Sequence, residues 1–166
     1  MINLAHISDI HLSPMPQVGW RDLLGKRITG YLNWKLKRHD ELNSETLAAL
    51  VRHLQAQKAD FTAVTGDLVN LALPAEIERA GDWLNALGAA DKVAVCPGNH
   101  DAYVPGALES AQKVWGEYLK GETLDDGDFP FVRRIGELAV ISCSSAVPTR
   151  PFLAIGRFDE VQAERL

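Results

Sequence analysis

The sequence predicts an α/β layered domain, in which short strands alternate with amphipathic helices. Three observations indicate this fold class. Short apolar runs end abruptly at a polar residue, a proline or a glycine, apolar residues recur at helical spacing between those runs, and the two kinds of segment alternate along the chain. The chain is long enough for one hydrophobic core, so we predict a single domain over residues 1–166.

The first half of the chain begins with a strand, a helix and a second strand. Residues 2–8 are short and apolar, as expected of a strand. Residues 42–57 place leucines and a valine at helical spacing behind a cap at Asn43 or Ser44. Residues 61–65 form the second apolar run, which a glycine ends.

The middle of the chain predicts a helix, a strand and another helix. Pro74 suits the first turn of a helix, whose apolar stripe continues to a stop signal at Gly88. Residues 92–96 form the third strand, which a Pro-Gly pair ends. A further helix is predicted over residues 106–119.

Two strands and the start of a helix are predicted near the end of the sequence. Residues 131–135 and 138–142 are separated only by Gly136 and Glu137, which predicts a tight hairpin. Apolar residues at helical spacing from residue 158, with acidic residues early in the run, predict the first turns of a helix.

Composition argues against several classes of protein. No apolar run approaches the roughly 20 residues that cross a bilayer, and no leader or cleavage site is visible, so we expect a cytoplasmic protein. The net charge of −5 argues against a nucleic-acid polymer as partner, because such binding depends on clustered Lys and Arg. Cys96 and Cys143 lie in apolar runs without CxxC spacing, and we interpret them as buried free thiols.

Three polar motifs carry the chemistry, and each follows a predicted strand. They read SDIH at residues 8–11, TGDLVN at residues 65–70 and PGNHD at residues 97–101. Ligand sites in α/β sheets lie at the carboxyl ends of the strands. The three loops should therefore open on the same edge of the sheet, where their side chains can converge.

The residue types in these motifs suit a pair of divalent metal ions that act on a phosphate ester. A carboxylate such as Asp67 can bridge two ions, and Asp9 with His11 can complete one of them. The amide oxygen of Asn99 can bind the other ion without adding charge. Two ions about 3.5–4 Å apart hold a hydroxide and clamp the attacking and leaving oxygens. His100 would protonate the leaving group or stabilise charge on a phosphoryl oxygen.

Neighbouring residues are predicted to support this site. Gly66 and Gly98 would allow the backbone to come close to a metal or a phosphate. Asp101 is predicted to act in catalysis by orienting His100 as an adjacent carboxylate. Asn70 is predicted to support the TGDLVN loop by a hydrogen bond.

In this order and at these intervals, the motifs D-x-H, G-D-x-x-N and G-N-H-D resemble the first three motifs of the calcineurin-like metallophosphoesterase superfamily. The resemblance is close over residues 2–104 and looser beyond them. It implies that the chain is the N-terminal part of a four-layer α/β/β/α sandwich with a dinuclear centre of Mn, Fe or Zn ions. The wording ISDIHL and PGNHD is similar to that of bacterial class III cyclic nucleotide phosphodiesterases.

The resemblance also implies a role for each matching residue, and it shows one departure. It implies that Asp9 and His11 bind the first metal, that Asp67 binds both metals and that Asn99 binds the second. His100 would be the catalytic histidine. The family pattern needs further histidines later in the chain, but none follows residue 100. We therefore expect either a truncated piece of a longer protein or a degenerate relative without catalysis, and we favour truncation because all three motifs are intact. In either case we expect this chain alone to bind the second metal weakly and to catalyse poorly.

Residues 20–39 form a basic and aromatic insertion after the first motif. Six of the chain's 17 basic residues fall here, interleaved with Trp20, Trp34 and several leucines. This composition suits an interfacial helix or a lid over an anionic, partly apolar substrate, with peripheral contact to a membrane. The alternative is a helical loop that packs its tryptophans on the domain or on a partner subunit in a homodimer.

Taken together, the motifs predict a metal-dependent phosphodiesterase or phosphatase that acts on a small phosphate ester. Cyclic nucleotides, glycerophosphodiesters, nucleotide anhydrides and lipid-linked esters all remain candidate substrates. The alternative is a catalytically inactive scaffold or interaction module on the same fold, which the absence of later histidines motivates.

Overall fold

The computed structural model describes residues 1–37, 44–124 and 128–166. Within those residues the chain has a mixed α/β fold, as predicted: a three-stranded parallel sheet with helices, followed by a two-stranded antiparallel sheet. The predicted cap at Asn43, residues 38 and 39 of the insertion and most of the acidic turn before the hairpin lie outside the described residues.

The helices and strands follow one another in the predicted order, with a helix inside the insertion. They are β1 (Leu4–Ser8), α1 (Lys26–Lys37), α2 (Ser44–Ala56), β2 (Phe61–Gly66), α3 (Pro74–Leu87), β3 (Val93–Pro97), α4 (Ala107–Trp115), a 3₁₀ turn (Gly116–Leu119), β4 (Phe131–Ile135), β5 (Leu138–Ser142) and α5 (Glu160–Arg165).

One predicted helix is shorter than expected. The helix predicted over residues 106–119 ends as α4 at Trp115 and continues as the 3₁₀ turn. Gly116 has a low helix propensity, and the tighter winding that follows it buries Tyr118 and Leu119.

The predicted hairpin is confirmed to the residue. Its strands pair in antiparallel register, with Ile135 opposite Leu138. Gly136, in the turn, has a φ of 57°, a left-handed conformation that glycine adopts without steric cost.

The parallel sheet places the three motifs level with one another. Its strand order is β1-β2-β3, and Ser8 pairs with Thr65, which in turn pairs with Cys96. These residues lie at or next to the carboxyl ends of their strands. The loops that carry the motifs therefore leave the sheet from the same edge.

The core lies between this sheet and the helices packed on it. Phe61, Val64 and Val95 are almost fully buried in the strands. Trp115 of α4 is also fully buried, and its indole N–H donates a 2.7 Å hydrogen bond to the carbonyl oxygen of Ile77 in α3. Because a buried indole N–H without a partner would be costly, this bond fixes how α4 packs against α3.

A buried carboxylate holds the loop between β2 and α3. Glu76 is 3% exposed, and its two oxygens accept hydrogen bonds from the backbone N–H groups of Asn70, Leu71 and Leu73, each 3.0 Å long. These donors belong to the loop that carries TGDLVN and leads to α3, whereas Glu76 lies in the first turn of α3. The second motif is therefore anchored to the start of α3.

Every helix in the described part of the chain is too short or too polar to cross a lipid bilayer.

Candidate metal centre

The first two motif loops run side by side beyond the ends of their strands. Asp9 donates its backbone N–H to the carbonyl oxygen of Thr65 over 3.0 Å, and His11 donates to that of Asp67 over 2.9 Å. Asp9 and His11 have φ values of 51° and 43°, which residues other than glycine seldom adopt. Backbone strain of this kind is common at functional sites, where it directs side chains toward a ligand.

Asp9, His11 and Asp67 form a cluster that could hold a metal ion. Each offers one ligand atom, and these three atoms lie within 4.8 Å of one another. The Nε2 atom of His11 is 3.6 Å from Oδ2 of Asp67. His11 and Asp67 are buried, whereas Asp9 is exposed. A mixed set of carboxylate oxygens and an imidazole nitrogen fits divalent ions such as Mn, Fe or Zn.

A backbone carbonyl orients the imidazole of His11. Its Nδ1 atom lies 3.1 Å from the carbonyl oxygen of Val69. Since a carbonyl oxygen can only accept a hydrogen bond, Nδ1 carries the hydrogen. Nε2, which faces Asp67, is then the atom through which His11 could bind a metal ion.

Two glycines allow the carboxylates to approach the backbone closely. A Cβ atom on Gly66, whose φ is 75°, would lie 2.4 Å from Oδ1 of Asp9. A Cβ atom on Gly98 would lie 2.1 Å from Oδ1 of Asp67. Both distances are far below van der Waals contact, so only glycine leaves room for these carboxylates.

His100 lies beside the cluster and is held at both ends. Its backbone N–H donates a 2.7 Å hydrogen bond to Oδ1 of Asp67, and its Nδ1 atom lies 2.5 Å from the carbonyl oxygen of Asn70. The imidazole meets that of His11 edge to face, with ring centres 5.0 Å apart, and stacks on Tyr103 at 5.2 Å. These contacts fix the ring without using a neighbouring carboxylate.

Asp101 is held by backbone groups of the motif loops. Its side chain is fully buried, and its hydrogen bonds among the described residues come from three backbone N–H groups: those of Leu68 (3.0 Å), Val69 (3.2 Å) and Gly98 (2.9 Å). These donors leave no hydrogen bond between Asp101 and His100 in the described part of the chain, and the role of Asp101 in orienting His100 stays a prediction. The turn after β3 directs the Asp101 carboxylate back into the loops, where these donors need an acceptor.

Burial also changes the acidity of this carboxyl. Removal from water raises the pKa of Asp101 to about 8, and the negative charge of Asp67 acts in the same direction. The three backbone donors oppose this increase in pKa, since they stabilise the ionised form. Asp101 thus joins the second and third motif loops.

Asn70 joins the loops in a way that the sequence did not indicate. Its side-chain amide donates to the carbonyl oxygen of Leu12 over 3.4 Å, which connects the second motif to the first. Its own backbone carbonyl is the partner of His100. Residue types could not reveal this second contact, because every residue has a backbone carbonyl.

Two cavities of about 300 Å³ each lie at the candidate site, one lined by two of the cluster residues and the other by His100. The first, which we name the metal cavity, contains Asp9, Asp67 and Asn99 together with both glycines and Cys96. The second, named the α1 cavity, contains His100 and Asn99. Asn99 is half-buried and lines both, so it lies between the cluster and the imidazole.

The helix α1 forms one wall of the α1 cavity and is fixed against the domain. The guanidinium of Arg27 donates hydrogen bonds to the carbonyl oxygens of Leu71 (3.0 Å) and Ala72 (2.7 Å). The Lys26 ammonium lies 4.2 Å from the centre of the Tyr103 ring. Partial burial lowers the pKa of Lys26. The insertion is therefore packed at the edge of the candidate site.

The two tryptophans of the insertion differ in their surroundings. Trp34 is half-buried and stacks on Tyr31, with ring centres 6.0 Å apart. Trp20 is 72% exposed, so it does not pack on the domain, and packing of the tryptophans on a partner subunit stays a prediction.

The two cysteines are free thiols, as predicted, and both are half-buried. The Cys96 thiol donates to the carbonyl oxygen of Cys143 over 2.9 Å. Burial raises the pKa of both thiols. Neither thiol is therefore poised as a thiolate nucleophile at neutral pH.

Comparison with known proteins identifies a family for this chain. The family described as calcineurin-like phosphoesterase matches residues 2–160, which include all three motifs and nearly the whole chain. No curated protein sequence matches significantly.

Proposed function

The chain belongs to the calcineurin-like phosphoesterase family, and on this premise we propose that it hydrolyses a small phosphate ester at a dinuclear metal centre. The observation that supports this most directly is the cluster of Asp9, His11 and Asp67, whose ligand atoms lie within 4.8 Å of one another. Metal-dependent hydrolysis of phosphate esters is the chemistry of this family.

The donor set allows each residue a role at two ions. Asp9 and His11 would hold the first ion, and Asp67 would contribute an oxygen to both. Asn99, half-buried between the two cavities, would hold the second. Ions of Mn, Fe or Zn, when bound here, supply the Lewis acidity that activates water and offsets charge on the phosphoryl oxygens.

The proposal gives His100 the role of acting on the leaving group. With its Nδ1 hydrogen directed at the Asn70 carbonyl, the Nε2 atom is the one that can exchange a proton with substrate. The imidazole lines the α1 cavity. The protonated ring would donate to the leaving oxygen there, which assigns the leaving group to the α1 cavity and the phosphoryl group to the metal cavity.

The lining of the α1 cavity fits a leaving group with both polar and apolar parts. Lys26, Asn33 and Asn99 offer polar groups, while Trp34 and Tyr103 offer aromatic surface. A volume of about 300 Å³ is at the lower end of the range for small-molecule sites. This supports a small ester as substrate.

The proposal can be tested by hydrolysis of bis(p-nitrophenyl) phosphate with and without added Mn. We expect Mn-dependent turnover that falls by about 100-fold or more in Asp67→Asn, because that change removes the shared carboxylate. The matched control is Asp82→Asn, an exposed aspartate of α3. Absence of Mn-dependent turnover, or an Asp67→Asn chain as active as wild type, would contradict the proposal.

A second candidate is a non-catalytic scaffold on the same fold. It is motivated by the ligand count, since the sequence contains no histidine after His100 to complete the second metal site. A chain that binds less than one Mn ion tightly, by elemental analysis after gel filtration, and that shows no turnover would favour the scaffold. Turnover that rises with bound Mn would favour the enzyme.

A further inference from the structure

The helix α1 presents an apolar face to solvent. Ile28 and Leu32 are about half exposed and Leu36 is 82% exposed, and their four-residue spacing places them on one side of the helix. Trp20 and Leu24 continue the same spacing before the helix begins, and both are about 70% exposed. We name these five residues the α1 stripe.

The opposite face of α1 is mixed in polarity and lines a cavity. Lys26, Thr29, Gly30, Asn33 and Trp34 recur at spacings of three and four residues, and all of them line the α1 cavity. A surface helix of a globular protein normally turns its apolar residues inward, but among the described apolar residues of α1 only the aromatic residues Tyr31 and Trp34 are partly buried. The orientation of α1 therefore leaves apolar surface available to something outside the domain.

Specific contacts hold α1 in this orientation. Besides the two hydrogen bonds of Arg27, the Lys26 ammonium donates to the hydroxyl of Thr149 over 2.9 Å. A Cβ atom on Gly30 would lie 2.1 Å from the Tyr103 hydroxyl, so this side of the helix touches the domain directly. Rotating the stripe inward would break all of these contacts.

The charge around the stripe indicates the kind of surface that would cover it. Residues 20–39 contain six of the 17 basic residues but one of the 22 acidic residues, in a chain whose net charge is −5. Arg21 and Lys35 are exposed, and the Arg21 guanidinium lies 5.0 Å from the centre of the Trp20 ring. Exposed apolar side chains among basic ones match the interface of an anionic lipid surface.

We propose that the α1 stripe docks the chain on an anionic membrane surface, where the α1 cavity receives the leaving group of a phosphate ester carried by a lipid. The substrate part of this proposal rests on the proposed function. Phe152 and Leu153 line the same cavity, and Phe152 is 92% exposed, so the cavity is bordered by apolar side chains from two segments of the chain. That border suits a ligand whose polar headgroup enters and whose acyl chains stay outside.

Docking is tested by co-sedimentation with vesicles of phosphatidylcholine, alone or mixed with phosphatidylglycerol. Wild-type chain should sediment with the anionic vesicles and be released by high salt, because the basic residues act through screened charge. The double variant Ile28→Ser/Leu32→Ser should bind at least about tenfold more weakly than wild type, since buried apolar area is lost.

The control Leu50→Ser/Val114→Ser changes two side chains of similar exposure, 47% and 44%, outside the stripe. It should bind as wild type does, and circular dichroism should show that both variants fold.

Three outcomes would overturn docking: no binding of the wild-type chain to anionic vesicles, equal binding by the double variant, or equal loss in the control. Sedimentation velocity would show whether the stripe is instead a contact between two copies. That reading requires a dimer for wild type, no dimer for the double variant, and no vesicle binding. Asp67→Asn should bind vesicles as wild type does, because Asp67 lies outside the stripe. Wild-type chain that binds the anionic vesicles but shows no Mn-dependent hydrolysis would contradict the proposed function alone.

The substrate class is tested with two p-nitrophenyl phosphodiesters, one with a long alkyl chain embedded in anionic vesicles and one short and water-soluble. The measured quantity is the ratio of the hydrolysis rate on the vesicle-borne ester to the rate on the soluble ester. For wild type this ratio should be about ten, because docking concentrates the enzyme at the surface. The double variant should lose that ratio. A wild-type ratio near one would contradict a lipid-borne substrate even if docking were observed.

Discussion

The backbone N–H of His100 donates a 2.7 Å hydrogen bond to Oδ1 of Asp67. This bond joins the proposed proton donor to the carboxylate proposed to bridge the metals, across two loops that are 33 residues apart in the chain. A change at either residue should therefore affect the other, and metal binding should order the third motif loop as well as the second.

The first prediction concerns the imidazole of the cluster. His11→Gln should weaken Mn binding by about tenfold or more, because the change removes a nitrogen ligand that the Val69 carbonyl holds in place. Isothermal titration calorimetry with the metal-free chain measures this directly. His53→Gln, in an exposed histidine of α2, is the matched control and should leave affinity unchanged. Equal affinity in both variants would exclude His11 as a ligand.

The second prediction separates backbone strain from steric overlap. Gly66 and Gly106 both have positive φ, 75° and 82°, but a Cβ atom on Gly106 would meet nothing within 4 Å. Gly106→Ala should cost about 1–2 kcal/mol of unfolding free energy from the left-handed backbone alone. Gly66→Ala should cost more and should also weaken Mn binding, since its Cβ would displace the Asp9 carboxylate. Urea unfolding and calorimetry distinguish the two variants; identical losses would contradict the overlap.

The third prediction concerns Asp101. Asp101→Asn should lower the unfolding free energy by about 1–3 kcal/mol, because the amide nitrogen cannot accept the hydrogen bonds that one carboxylate oxygen now receives. Urea unfolding of the metal-free chain at about pH 9, above the pKa of about 8 of Asp101, measures the change, with the exposed Asp82→Asn as control. If Asp101 served only to orient His100, stability would be unaffected while hydrolysis fell.

The fourth prediction follows from the raised pKa of the two thiols. The thiolate is the reactive form, so a raised pKa leaves less of it at pH 8 than an unfolded cysteine has. Cys96 and Cys143 should react with iodoacetamide more slowly in the folded chain than in urea at that pH, and the folded rate should continue to rise above pH 9. Mass spectrometry of timed samples assigns each site. Rates equal to those in urea would show that the thiols are neither buried nor shifted in pKa.

Sequence patterns predicted helices and strands well where a regular spacing of apolar residues ends at a residue that stops the helix or strand. The hairpin strands were predicted to the residue, since a two-residue turn containing Gly136 leaves one register that keeps the apolar side inward. The helix after the third motif was predicted too long, because its apolar spacing continues past Gly116 while its winding changes. Periodicity does not distinguish an α-helix from a short 3₁₀ continuation.

The sequence by itself determined the α/β class, the family and the common edge of the sheet from which the three motifs emerge. The reason is that strand ends, glycines and polar loop residues can be recognised from residue types alone. Only the tertiary structure decided which groups hold the site together. His100 is held by the carbonyl of Asn70 rather than by Asp101, and backbone groups are the same in every residue. The outward apolar face of α1 likewise depends on Arg27 meeting carbonyl oxygens more than 40 residues away, and a pattern within the helix does not encode such contacts.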